Sequence, residues 1–265
     1  MLDLSWIQYS LIALIFIWSG FVRSGLGFGG AVLSLPFLLM VHNDPLIYLP
    51  LISVHLLVFS SITIIKSNST RFQKSSTKEN LKPLESTIDW PYLKHAMSIM
   101  IIPKLIGVFG LITLPSSLMS GIIFGIVGFY SLTYILNKPF NSNSKKLDIL
   151  FLILGAYISG TSLIGAPLII TVFAHHVKKH QLRDTLFALW FILVAIKMSA
   201  FLYAEIDLQL VHHIWLLPCA AIGHVIGLRF HHYILTADTA IFYRVVGIAL
   251  LAISIIGLTQ NLSPQ

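Results

Sequence analysis

Gly25-Leu26-Gly27-Phe28-Gly29-Gly30-Ala31 breaks an apolar run near the start of the chain, and Gly160-Thr161-Ser162-Leu163-Ile164-Gly165-Ala166 breaks another in its second half. Laid over one another, Gly25 falls on Gly160, Gly30 on Gly165 and Ala31 on Ala166, all 135 positions apart. Each stretch follows one apolar segment and precedes a shorter one. Glycine is frequent in membrane helices for packing reasons alone. Its recurrence at corresponding places in two halves points to an internal repeat.

The surroundings of these stretches are apolar throughout. Of 265 residues, 56% are hydrophobic and only 10% are charged, and mean hydropathy is +0.86. A soluble domain carries about 25% charged residues, so this chain cannot clothe a water-facing surface. Leu4–Val22, Leu46–Ile65, Ala96–Leu114, Leu147–Leu163, Leu182–Ala204 and Ala240–Leu258 approach or reach the roughly 20 residues that cross a bilayer core. Backbone polar groups in lipid must be satisfied within the segment, so these blocks read as helices; the ten-residue alternation of a β-barrel is absent. The single cysteine, Cys219, excludes an internal disulfide framework and a multi-cysteine metal site. Met1-Leu2-Asp3-Leu4 lacks the basic opening of a cleavable signal, so the first block is expected to be retained.

Taking charges and turn residues as punctuation, helices are predicted at 5–23, 28–41, 46–65, 94–113, 116–136, 147–160, 164–176, 184–204, 210–229 and 238–259. Two polar stretches interrupt them, a long one from Lys66 to Trp90 and a shorter one from Asn137 to Lys146. The chain therefore divides into a first membrane repeat, 1–137, with a cytoplasmic loop at 66–91, and a second, 147–259. Lys and Arg favour cytoplasmic loops. If each glycine-rich stretch lay within one continuous span, the loop cations would split 8 to 4 between the two sides. If each is a turn, all twelve share one side, and the other shows Asp3, Asp44, Glu205 and Asp207. The second arrangement fits the rule. It makes the protein an all-α polytopic membrane protein of two inverted repeats, about five helical segments each, with re-entrant helix pairs at the glycine-rich motifs. Both termini then lie outside, and the basic loops are cytoplasmic.

Discontinuous helices in inverted repeats recur in transporters, where they surround a site near the bilayer midplane. Non-helical backbone at that depth is tolerated only against protein or a wet cavity. The helix that resumes after a break presents free N–H groups and a positive dipole end, both of which attract anions. Gly29-Gly30-Ala31 and Gly165-Ala166-Pro167 suit such starts, and Pro167 needs no N–H partner in a first turn. The same small residues also suit close helix packing, and both readings stand together.

Subtracting the twelve loop cations leaves Arg23, Lys94, Lys104, Lys197 and Arg244. Lys94 and Arg244 lie near cytoplasmic helix ends, where long side chains snorkel. Arg23 abuts the first break, Lys104 is midway along its helix, and Lys197 is toward the outer half of its own. Charges within spans usually face an interior cavity, and no carboxylate on these helices pairs them. An anion would complete them. The candidate substrate-binding set is thus Arg23, Gly27, Gly29, Gly30, Lys104, Gly165, Ala166 and Lys197, with snorkelling to lipid phosphate as the alternative for the cations. His55 and His224, central in apolar helices, are candidates for proton coupling. His175, His176, His180, His231 and His232 reinforce the positive cytoplasmic face; no carboxylate or cysteine stands near them in sequence to make a metal site. There is no GxxxxGK[ST] loop for ATP, no GxSxG and no HExxH. Neither a cofactor, a metal nor nucleic acid is expected; the partners are a small anion and the bilayer, and homo-oligomerisation is open.

Gly20-Phe21-Val22-Arg23-Ser24-Gly25-Leu26-Gly27-Phe28-Gly29-Gly30-Ala31, followed by Leu35-Pro36-Phe37-Leu38, resembles the first signature of the TauE/SafE sulfite exporter family. Gly160…Ile164-Gly165-Ala166-Pro167-Leu168 is similar to its repeated signature. Leu114-Pro115 opening a helix, Pro218…Gly223…Gly227 and Phe242-Tyr243-Arg244…Gly247 resemble later parts of the same family. The resemblance spans essentially the whole chain. It implies a permease of duplicated halves, set in the cell (inner) membrane, that moves sulfur-containing anions such as sulfite, sulfoacetate and other organosulfonates. Phe28 interrupts the usual glycine triplet, and Ala166 stands where glycine is common.

Residues and resemblance together point to a non-enzymatic permease that exports or imports a small anion, sulfite or an organosulfonate, by alternating access. An anion channel is one alternative, since it too needs a basic pore. A membrane-embedded enzyme or non-transporting subunit is another, weakened by the lack of any Asp or Glu central in a span.

Overall fold

Helices follow one another through the described residues because the apolar segments offer no other way to satisfy their backbone in lipid. The computed structural model describes residues 4–26, 30–75, 86–138, 140–236 and 239–262. Their order is α1 (Trp6–Leu26), α2 (Leu35–Val41), α3 (Pro45–Ser75), α4 (Trp90–Thr113), α5 (Ser116–Ile135), α6 (Lys145–Ser162), α7 (Ala166–His176), α8 (Lys179–Tyr203), α9 (Leu210–Thr236) and α10 (Thr239–Leu262). No strand occurs among the described residues. Local signals set several starts. Asp89 caps α4 by accepting from the Tyr92 N–H at 3.0 Å, and Ser144 caps α6 by accepting from Leu147 at 3.3 Å. Gly165 stands at the cap of α7, with proline in its first turn.

Seven helices, α1, α3, α4, α5, α8, α9 and α10, contain stretches long and apolar enough to cross a bilayer. Their outer faces carry large apolar side chains in the open, among them Ile102, Phe109, Phe129, Ile214 and Ile248. So much exposed apolar surface is compatible with lipid and not with water. Meanwhile Lys104 and Lys197 have no exposed surface and Arg23 has 6%. This is a multi-pass membrane protein, apolar outside and locally charged within.

The four most extensive helix pairings are α1 with α9, α4 with α6, α5 with α10, and α3 with α8. Exchanging the halves, so that α1 becomes α6 and α4 becomes α9, turns the first pairing into the second. The other two map onto themselves. Glycines make the close crossings: a Cβ on Gly223 would strike the Ile17 carbonyl of α1, and one on Gly107 would strike the Tyr157 carbonyl of α6.

Three predicted boundaries are corrected, the simplest being that of the helix predicted over 210–229, which continues to Thr236. The polar stretch from Lys66 does not begin a loop, because α3 continues to Ser75; Ser, Asn and Lys extend a helix past the apolar core once its first turns are packed. Of the segment predicted as a helix over 28–41, the described residues, 30–41, are helical only from Leu35 to Val41, seven residues, or roughly 10 Å at 1.5 Å per residue. Residues 30–34 form turns instead. Ser34 Oγ bonds the Gly30 carbonyl at 2.5 Å, and the Ser34 and Leu35 N–H groups both donate to the Ala31 carbonyl. Hydroxyl competition of this kind favours turns over helix.

Candidate functional site

The two broken stretches meet. A partly open cavity of about 40 Å³ is lined by Arg23, Gly30, Ala31 and Val32 from the first half and by Ser159, Leu163 and Ala166 from the second. Leu56 of α3 and Phe187, Trp190, Leu193 and Val194 of α8 complete its wall. Holding one water takes roughly 10–15 Å³ measured in this way, so the space suits a group of about three water-sized atoms.

Each break is built differently. In the second, the chain leaves α6 through Leu163, whose φ of 62° is left-handed. A side chain there costs roughly 1–2 kcal/mol, and the strain falls at the cavity wall rather than at a glycine. Gly165 does not line the cavity. A Cβ on it would strike the Gly155 carbonyl, so this glycine serves the packing of α7 against α6. The first-turn N–H groups of α7 have no partners within their own helix, and Ala166 brings that turn to the cavity. In the first break, Gly30 packs so closely on α1 that a Cβ on it would lie only 3.1 Å from the Ser19 carbonyl and from Cβ of Arg23. No helix starts at Gly30 or Ala31: both reach the cavity from a turn, and α2 begins later, at Leu35. Gly27 and Gly29 lie outside the described residues.

The cations divide. Arg23, in the last turn of α1, is the one that lines the cavity among the described residues. Its guanidinium sits 4.2 Å above the Phe59 ring, and Nη1 donates to the His55 carbonyl at 3.4 Å. Nη2 has no hydrogen-bond partner among the described residues. Lys104 does not need an anion to complete it: Nζ donates to the Ser159 carbonyl at 2.8 Å and to its hydroxyl at 3.0 Å. That carbonyl belongs to the last turn of α6, the negative end of its dipole. A main-chain partner of this sort has no signature in sequence. Lys104 therefore stands one residue back from the cavity, behind Ser159. Lys197 is within electrostatic reach of Lys104; its Nζ lacks a hydrogen-bond partner among the described residues and lies 5.9 Å from the Phe201 ring.

The predicted histidines sit on the Arg23 side. His55 is buried against Phe16, with ring centroids 4.9 Å apart. His224 Nδ1 lies 2.5 Å from the Ser24 hydroxyl, and its ring is 5.0 Å from that of Phe59. His213, passed over in the sequence, joins them 5.3 Å from His55; a second histidine in an apolar segment was the available signal. At the histidines that end α7 the sequence misleads, because a carboxylate does reach one of them. Asp148, remote in sequence, pairs with His176 at 2.9 Å. Among the described residues no group of three or more His, Cys, Asp or Glu is placed to hold a metal ion.

A polytopic helical protein with two broken segments around an internal, positively charged cavity has the build of a membrane carrier. The family model described as sulfite exporter TauE/SafE matches residues 12–256, and the chain belongs to that family of membrane transporters. No individual curated protein and no solved structure matches it.

Proposed function

We propose that the protein is a permease that moves sulfite or a small organosulfonate across the cell membrane by alternating access. The observation that carries this reading is the shared cavity: Arg23, the turn at Gly30–Ala31 and the start of α7 at Ala166 converge on one small space. Arg23 supplies charge and a free guanidinium edge suited to a planar pair of oxygens, while backbone N–H groups near Gly30 and Ala166 cradle the rest. A volume of about 40 Å³ suits a three-oxygen head and leaves little space for an organic tail, so sulfite is favoured over bulky sulfonates in this conformation. Lys104 and Lys197 do not line this space and do not touch the ion.

Two inverted halves, with the basic loops cytoplasmic and both ends outside, would let the cavity open to either side by rocking about the α3–α8 and α5–α10 pairings. Exchange of the halves preserving the main pairings supports this reading.

The test is a thermal-shift screen of purified protein against sulfite, sulfate, thiosulfate and methanesulfonate, followed by flux in proteoliposomes. Sulfite should stabilise the protein, by about 2.7 kcal/mol at one hundred times its dissociation constant, and flux should saturate. Equal melting in all four anions would overturn the assignment, and unitary currents would replace the carrier with a channel.

A further inference from the structure

His213, near the start of α9, and His55, midway along α3, are both buried, and their ring centroids are 5.3 Å apart. His55 Nε2 and His213 Nδ1 each lack a hydrogen-bond partner among the described residues. Buried polar side-chain atoms are paired in the large majority of cases, and two orphan imidazole nitrogens on facing helices lack just what a proton, or a water carrying one, would supply. The pair also connects two places. His213 Nε2 lies 3.2 Å from the Leu208 carbonyl, in the segment that precedes α9. The His55 carbonyl accepts from Arg23, which lines the cavity.

We propose that His55 and His213 form a proton-binding pair that couples proton movement to the anion held at Arg23; this rests on the permease reading above. With Nε2 of His213 donating to Leu208, Nδ1 keeps its lone pair and accepts the proton, giving an imidazolium. The proton then passes to Nε2 of His55, directly or through one water, and His213 returns to neutral. N–H bonds form and break, with one O–H bond made and one broken where a water relays the proton, and the added positive charge is balanced by the anion beside Arg23. The titratable and charged groups around the pair are Arg23 and Tyr9 on α1, His212 and His224 on α9, and Asp207 just before α9; Trp215 donates to His212 at 3.2 Å. Among these Arg23 is the fixed positive charge nearest the pair, so the anion's arrival is the event that makes room for a proton. The linkage is reciprocal: a bound proton tightens the anion as much as the anion tightens the proton.

The experiment uses proteoliposomes and labelled methanesulfonate, which stays ionised between pH 5 and 9, so that any proton moving with it is carried by protein. At one proton per anion, a gradient of one pH unit should raise wild-type accumulation about tenfold. His213→Gln and His55→Gln should still exchange methanesulfonate downhill, with no response to the gradient; His213→Asn serves if the glutamine variant unfolds. Gradient-driven accumulation in His213→Gln equal to wild type would overturn the pair. If the wild type does not carry methanesulfonate, the sulfonate reading fails, and the pair is judged on its own by nitrogen NMR of labelled histidines in nanodiscs. There His55 and His213 should titrate together, and His213→Gln should displace the His55 titration. Two rings indifferent to one another's removal would overturn it.

Discussion

Lys104 and His224 hold equivalent places in the two halves. Lys104 of α4 bonds Ser159 of α6, and His224 of α9 bonds Ser24 of α1; Ser159 lies 135 positions after Ser24. Each partner serine precedes a glycine, Gly160 or Gly25, and each bonding side chain stands three residues before another glycine, Gly107 or Gly227, that presses on the same helix. A polar side chain thus locks the end of each helix that leads into a break. One lock carries a lysine and the other a histidine, so the halves share a frame and differ in chemistry.

Arg23→Gln should leave expression and melting temperature near wild type while weakening sulfite binding. Charge-assisted hydrogen bonds contribute about 1.5–3 kcal/mol, which corresponds to roughly 10–150-fold in affinity. Isothermal titration with sulfite checks it; unchanged affinity removes Arg23 from the site.

Lys104→Met and Lys197→Met should weaken sulfite binding less than Arg23→Gln does. Neither lysine lines the cavity, and Lys104 is engaged by Ser159. The three variants titrated side by side give the order, and a larger loss at either lysine would move the site toward α4 or α8.

Gly223→Val and Gly107→Val should each destabilise the protein by at least the 1–3 kcal/mol typical of overpacking, because their Cβ atoms would meet backbone of the crossing helix. Gly121→Ala should be neutral or slightly stabilising, since nothing lies within 4 Å of its Cβ position. Melting curves in detergent separate the two cases.

Ala166→Leu should fill the cavity and abolish sulfite flux, with the fold intact, since the residue faces a space of only about 40 Å³. Proteoliposome uptake measures it; undiminished flux would place the substrate path elsewhere.

Much of this was legible because it rests on residue type. The Gly25/Gly160 and Gly30/Gly165 spacing marked the breaks, and the isolated cations marked the interior. The late start of α2 was not legible: in Ala31–Val41 most positions are apolar whether they turn or coil, and a segment enclosed by protein shows no face. The partner of Lys104 is a carbonyl together with an ordinary serine hydroxyl, and neither announces itself. Leucine gives no hint that it will adopt φ of 62° at Leu163. His213 and the Asp148–His176 pair required the tertiary fold, which brings α3 to α9 and the end of α7 to the start of α6.

The most direct test is to locate the ion. Crystals or cryo-cooled particles prepared with selenite, the heavier analogue of sulfite, would show selenium by its anomalous signal or by its density. A single site beside the Arg23 guanidinium, between Ala31 and Ala166, is the predicted result. Selenium bound elsewhere, with that space unoccupied at saturating selenite, would contradict it.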